Sequence, residues 1–291
     1  MMALIENIVD GALVGSIYSL IAIAFVLIYK ASKVLNLAQG GLVLMGAYLS
    51  YAFISQFNLP VIPGIILTLF VCSLIIVLFE RFPLRPLLGQ PILSIIMATI
   101  GIELLIRGLC VLVWGARGWR TYPQLFGLKP FAFAGLNLSR QHLMAFVVTV
   151  ILLLVLAYFF KWTKTGLLMK ATAEGHLVSQ SMGIRVSRVI AISWVLSAII
   201  SAFGGIFLGS MMNVNVVLAD LGLKALPAAI VGGLESIPGA FIGGLLIGIT
   251  ESLAQYYIGH GLGEITPYIV MMIILILRPE GLFGLKIIER V

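Results

Sequence analysis

Charge is what this sequence lacks most. Asp, Glu, Lys and Arg together make up 10% of its 291 residues, while hydrophobic types make up 61%. A soluble chain of this length needs a charged surface, and so few charges cannot build one. Cysteine is nearly absent too. Cys72 and Cys110 both lie in apolar runs, where they read as small buried hydrophobes and not as a disulfide framework. The three histidines, His142, His176 and His260, fall in separate loops or loop edges, so no metal-ligand spacing arises and no metal site is expected. No Gly-x-x-x-x-Gly-Lys-Ser/Thr occurs, which excludes ATP binding of the P-loop kind. No nucleophile–base pair is evident. The short alternating segments of a membrane barrel are missing as well. The opening residues carry Glu6 and Asp10 and no basic cluster, so the first apolar span is expected to stay and not to act as a cleaved signal peptide.

What is present is a series of long apolar runs. A span needs about 20 mostly apolar residues, and the stretches 11–29, 36–55, 61–79, 91–114, 141–160, 189–212, 238–257 and 265–277 meet or approach that. Residues 34–79 hold no Asp, Glu, Lys or Arg, but the run is too long for one crossing and breaks at Gln56, Asn58 and Pro60. Pro83 and Pro86 are expected to stop the third helix. Residues 225–234 are apolar but too short to span unless their flanks join them, so the count is eight or nine. The reading is all-α: a polytopic membrane helical bundle in one domain, 1–291, with some short Gly/Pro-broken segments. With nine crossings and the N-terminus outside, 12 basic residues fall inside: Lys30, Lys33, Arg81, Arg85, Lys161, Lys164, Lys170, Arg185, Arg188, Arg278, Lys286 and Arg290. Outside fall 5: Arg117, Arg120, Lys129, Arg140 and Lys224. That split favours an outer N-terminus and an inner C-terminus. The net charge of +7 is then a topology signal, and no nucleic-acid partner is expected.

Several residues stand out against the apolar background. Gly11/Gly15, Gly205/Gly209, Gly239/Gly243 and Gly244/Gly248 sit at the four-residue spacing that lets membrane helices approach closely. Asn36, Gln39 and Gly40 open the second span; they fit either a helix cap or a mobile end near a pathway. Pro227, Gly232 and Gly233 make 225–239 a broken segment, which at membrane depth is tolerated where it is buried in protein or lines a cavity. Glu103 and Arg107 are at i and i+4 within a span and can pair. Glu251 lies in a span with no obvious local partner; it either caps a neighbouring backbone break or lines a pathway. Residues 161–188 form a basic loop between spans, with Leu167, Ala171, Val178 and Met182 near helical spacing, Leu177 beside them and Glu174 the one acid.

The motifs taken together resemble the LivH-type permeases of the branched-chain (hydrophobic) amino-acid ABC importers. They are LNLAQG at 35–40, MGAY at 45–48, ATAE at 171–174, MGI at 182–184, KALPAAIVGGLESIPGA at 224–240, GITE at 248–251 and RPEGLFG at 278–284. The resemblance implies a multi-pass subunit of the bacterial inner membrane. It would be paired with a LivM-type permease, two cytoplasmic ABC ATPases that bind the ATP and Mg, and a periplasmic substrate-binding protein. It also implies that 161–188 carries the coupling helix. On that basis 171–183 is expected to be one short helix against an ATPase, anchored by Leu177, Val178 and Met182, oriented by Glu174, and including Ala171 and Gly183. Gly175 and Ser179 depart from the family's usual Asn and Ala. Branched-chain or other hydrophobic amino acids are the implied solutes. Urea, a short amide, an aromatic acid, or an autonomous ion-coupled carrier with Glu251 as its ion site remain open alternatives.

Overall fold

The computed structural model describes residues 2–87, 89–115, 118–123, 125, 131–133 and 136–284. At its centre stands α1 (Met2–Ser32), 31 residues long and apolar on every side. A helix of that kind has to be buried all round, and from Ile17 to Ile28 almost no surface of α1 is left open. Its main neighbour is the antiparallel α11 (Ile237–Tyr257). Gly11, Gly15 and Ser19 of α1 face Ser252, Gly248 and Gly244 of α11, and a Cβ on Gly15 would overlap the Gly244 carbonyl. Ser19 donates to the Phe241 carbonyl at 2.7 Å and Ser252 to that of Asn7 at 3.0 Å. Small residues at four-residue spacing thus bring these two backbones together, as the sequence pattern implies.

The second packed pair is parallel. α2 (Gln39–Tyr51), prolonged by a π-helical turn at Ala52–Gln56, lies along α8 (Val186–Met212). Gly46 meets Ala202, and Gly205 meets the Val43 carbonyl and Ala47. Around these helices stand α3 (Val61–Phe79), α4 (Ile92–Trp114), α5 (Arg140–Trp162) and α12 (His260–Leu277). Their outer faces expose Ile66, Phe70, Leu112, Leu154 and Ile276, the surface of helices that meet lipid or another membrane protein.

Two local expectations are corrected. Pro83 does not stop the third helix: the chain continues through a π turn, Glu80–Leu84, and a 3-10 turn, Arg85–Leu87. The wider π turn tolerates the missing proline N–H, and the Arg85 N–H reaches back to the Glu80 carbonyl. Residues 171–183 are not one helix. α6 (Lys164–Glu174), capped by the Thr163 hydroxyl, ends at an extended Gly175, and α7 (His176–Ser181) starts anew. The polar stretch after α4 holds a small antiparallel hairpin, β1 (Phe131–Phe133) with β2 (Leu136–Leu138).

Lateral contacts fix which end of the bundle each segment reaches. Lys33, Glu80 and Glu235 mark one end; Asp10, Tyr122 and Asn213 mark the other. α1 runs from the Asp10 end to the Lys33 end, α2 returns, and α3, α4 and α5 continue in alternation. α6 and α7 follow at the Lys33 end, where α6 packs on α1. α8 returns to the Tyr122 end, where Val214 exchanges backbone hydrogen bonds with Arg120 at 3.0 Å. Two short helices then carry the chain back. α9 (Leu218–Leu223) and α10 (Ala225–Gly232) are joined through Lys224 in a helical conformation. Beyond them Glu235 reaches Lys33 at 2.5 Å. With α11 and α12 the described residues traverse the bundle nine times, and residues 225–234, joined to α9 through Lys224, belong to one of these traverses.

Candidate functional site

A cavity of about 290 Å³, lined by both charged and apolar side chains, lies between α1, α8, α9, α11 and α12, toward the Asp10 end. Its floor is Tyr18, Lys224 and Glu251. Glu251 is only 6% exposed. Lys224 Nζ stands 3.9 Å from its Oε1, and the Tyr18 phenol lies against the carboxyl. Glu251 Oε2 is buried with no hydrogen-bond partner among the described residues. Glu251 has no local partner in sequence, as expected; Lys224 and Tyr18, both distant in the chain, flank it, brought there by the α9–α10 passage and by α1. At the rim His142 Nδ1 and Asp10 Oδ1 are 2.9 Å apart, and Glu264 adds another acid. Val14, Ile17, Leu208, Met211 and Leu221 form the apolar wall.

Asn36 and Gln39 are fully buried. The N-cap of α2 is Ala38, without a side-chain bond, so Asn36 does not cap the helix in the expected way. Its Oδ1 accepts the Ala38 N–H at 3.0 Å, and its Nδ2 donates to Gln39 Oε1 at 3.1 Å. Gln39 donates in turn to the Ser201 hydroxyl and accepts from Ser197 at 3.2 Å. Ser197 and Ser201 lie on one face of α8, and a hydroxyl in a helix rarely announces such a role in sequence. Gly40, next in line, lets Ala219 of α9 approach the α2 backbone.

The broken segment is stabilised at its weak end. Pro227 sits in the first turn of α10, where a missing N–H costs nothing. Gly232 packs on Gly239 with no room for a Cβ. Gly233 has φ 101°, which a side chain would strain. The last carbonyls of α10 would otherwise be unpaired, and residues 278–284 cover them: Leu282 N–H donates to Val231 at 2.9 Å and Phe283 N–H to Gly232 at 3.1 Å.

Glu103 and Arg107 pair as expected, Nε to Oε1 at 3.0 Å. Arg107 also binds Asp220 of α9 at 2.6 Å, a partner that sequence spacing did not reveal. The pair thus ties α4 to the broken passage. On the Asp10 end, Tyr122 donates to the Ser50 hydroxyl at 2.9 Å. Burial pushes its phenol up to about 12, so it stays a donor across the physiological range.

α6 and α7 stand apart from all of this. Val178 and Met182 are exposed, Ala171 is half-buried, and Gly183 closes α7 with φ 80° while its N–H donates to Gln180 at 2.9 Å. The side chains of Glu174 and Leu177 lie outside the described residues, as do Arg117, Lys129, Lys286 and Arg290 altogether. Among the described residues, no group of three or more His, Cys, Asp or Glu is gathered to hold a metal.

Residues 7–277 match the family model described as "Branched-chain amino acid transport system / permease component". The chain is 28% identical to the high-affinity branched-chain amino acid transport system permease protein LivH of Salmonella typhimurium, over 99% of this chain and 97% of that protein. It is 28% identical to BraD of Pseudomonas aeruginosa, named in the same way, over 99% and 98%. A probable branched-chain amino acid transport permease protein LivH of Methanocaldococcus jannaschii is 32% identical over 96% and 92%. Among solved structures, PsaBC from Streptococcus pneumoniae in complex with Fab superposes with a TM-score of 0.52 over 97% of this chain and 98% of that one. At 14% identity that likeness speaks for the fold alone.

Proposed function

The chain belongs to the permease-component family of branched-chain amino acid transport systems, and from that membership we propose an ATP-driven importer subunit for branched-chain or other hydrophobic amino acids. The match over residues 7–277 carries this reading. In it a periplasmic binding protein delivers the solute, a LivM-type permease completes the membrane unit, and two cytoplasmic ABC ATPases bind ATP and Mg. This chain then has no ATPase site and no cofactor of its own, in keeping with its lack of a P-loop. Force has to enter through a segment that another protein can grip. Residues 161–188 suit that role, with Ala171, Glu174, Leu177, Val178, Met182 and Gly183 as the contact. Exposed apolar side chains on a short helix are what a helix-in-groove contact uses. The pathway would pass Asn36, Gln39, Gly40, Pro227, Gly232, Gly233 and Glu251. The basic residues at the α6–α7 end support a cytoplasmic placement of that end and of the C-terminus, with the N-terminus periplasmic in a bacterial inner membrane.

Reconstitution tests this directly. The chain is purified with its permease partner, ATPases and binding protein, and uptake of L-leucine into proteoliposomes is measured. Uptake that needs both internal ATP and the binding protein is the expected result. Uptake by the permease alone would make it an autonomous carrier, and uptake of urea or an aromatic acid with none of leucine would move it to another solute class.

A further inference from the structure

We propose that Glu251, Lys224 and Tyr18 form a zwitterion-binding site inside this chain, where Glu251 takes the ammonium and Lys224 the carboxylate of an apolar α-amino acid. The proposal rests on the permease reading above and adds the groups that recognise the solute. Four features carry it. The first is the orphan oxygen. Glu251 Oε2 is buried and lacks a hydrogen-bond donor among the described residues, yet the residue lines the cavity. Buried polar atoms are nearly always satisfied, so a carboxylate beside a cavity with one oxygen unsatisfied has acceptor capacity left for a donor that arrives.

The second feature is spacing. Lys224 Nζ and Glu251 Oε1 are 3.9 Å apart, within Coulombic reach but beyond hydrogen-bond length. The pair is poised and not closed. An α-amino acid carries its ammonium and carboxylate on one carbon, so it can lie across both groups. The ammonium would donate to the Glu251 carboxylate, and the carboxylate of the solute would accept from Nζ, each as a charge-assisted bond. The Tyr18 phenol lies against the same carboxyl and offers another polar contact. The third feature is the wall. Val14, Ile17, Leu208, Met211 and Leu221 present an aliphatic surface next to the charged floor. At about 290 Å³ the cavity stands near the lower limit, ~300 Å³, of small-molecule pockets, which suits one small solute.

The fourth feature is the rim. Asp10, Glu251 and Glu264 give the lining an excess of acid over Lys224. Such a field concentrates cationic groups at the mouth and presents the ammonium end first.

The test uses the assembled transporter. In proteoliposomes, Glu251→Gln should lower kcat for L-leucine by about tenfold or more, with Glu251→Asp recovering part of the loss. Lys224→Met should show a comparable fall. In each variant the ATPases should co-purify as before, and leucine affinity of the binding protein should be unchanged. Tyr18→Phe removes only a hydroxyl and should raise KM about threefold; it keeps the proposal testable if Glu251→Gln does not assemble. A readout independent of transport is the charge preference of the cavity. A cysteine placed by Met212→Cys on its lining should react about fivefold faster with a cationic methanethiosulfonate than with an anionic one, and Glu251→Gln should lower that preference. Uptake within twofold of wild type in both Glu251→Gln and Lys224→Met overturns the site, as does a thiol preference that Glu251→Gln leaves intact. Absence of leucine uptake by the unsubstituted complex overturns instead the substrate reading beneath it, and the thiol preference tells the two failures apart.

Discussion

Arg107 is shared between two acids, one buried and one largely open to solvent. Glu103 is 8% exposed, so removing Arg107 leaves its charge inside the bundle without a partner. Removing Glu103 leaves Arg107 still bound to Asp220. The two single variants should therefore differ. Arg107→Ala should lose about 3 kcal/mol, the range for orphaning a buried charge, while Glu103→Ala should lose about 1 kcal/mol. The double variant should recover much of the Arg107→Ala loss. Thermal unfolding of the purified permease in detergent checks this, and equal losses in the two singles would contradict the shared geometry. Gln39 is a second such residue. It joins Asn36, Ser197 and Ser201; Gln39→Leu strands the Asn36 Nδ2 at about 1–3 kcal/mol, while Ser197 and Ser201 keep their bonds to the Ala24 and Ser197 carbonyls. The same melt should show it well below wild type, whereas Ser197→Ala, which removes one hydroxyl, should fall by about 1 kcal/mol.

Among the elements, glycines divide by what they face. Gly15 and Gly248 bring α1 and α11 into backbone contact, and a Cβ at either would meet main chain. Gly15→Ala or Gly248→Ala should cost about 1–3 kcal/mol through overpacking. On α4, Gly101 and Gly108 have open space where a Cβ would sit. Gly101→Ala and Gly108→Ala should be neutral or stabilise by up to ~1 kcal/mol, because alanine is the better helix former. Melting midpoints that move the same way in all four variants would sink this division. The α6–α7 element gives a different test. Val178 and Met182 are exposed in the free chain, so Val178→Asp or Met182→Asp should leave its melting unchanged within about 0.5 kcal/mol. In the assembled importer the same change would place an unpaired charge in the ATPase contact, at several kcal/mol. Co-purification of the ATPase should fail while the membrane partner is retained. Retention of both ATPase and uptake would remove α7 from the coupling role.

At the scale of the whole molecule, the nine passages set opposite ends for Trp119 and Lys164. Single cysteines at those positions should be labelled by an impermeant reagent from opposite sides of the membrane, with Lys164→Cys reached only from the cytoplasm. Labelling of both from one side would contradict the alternation of passages. The glycine and charge patterns that led to this arrangement were readable in the chain for a simple reason. A membrane span declares itself by length and hydropathy, which are local properties of 20 or so residues. The spans expected at 61–79, 91–114, 141–160 and 189–212 accordingly match the observed helices, Pro91 being the N-cap of its helix. So did the i,i+4 pair of Glu103 and Arg107, because both members lie on one helix.

Sequence alone therefore determined the class of this protein, the positions of its long helices and the family to which its motifs belong. It also pointed to Glu251, since a carboxylate within an apolar run is costly wherever it ends up. Only the tertiary structure decided what that carboxylate meets. Lys224 reaches it because two helices of 6 and 8 residues, each too short to signal a span, stack into one passage. Tyr18 reaches it because α1 and α11 run antiparallel through their small residues. The Asp220 partner of Arg107, the hydroxyls around Gln39 and the docking of residues 278–284 on α10 have the same origin. Each joins groups far apart in the chain, and such contacts follow from how helices pack, which no local pattern encodes.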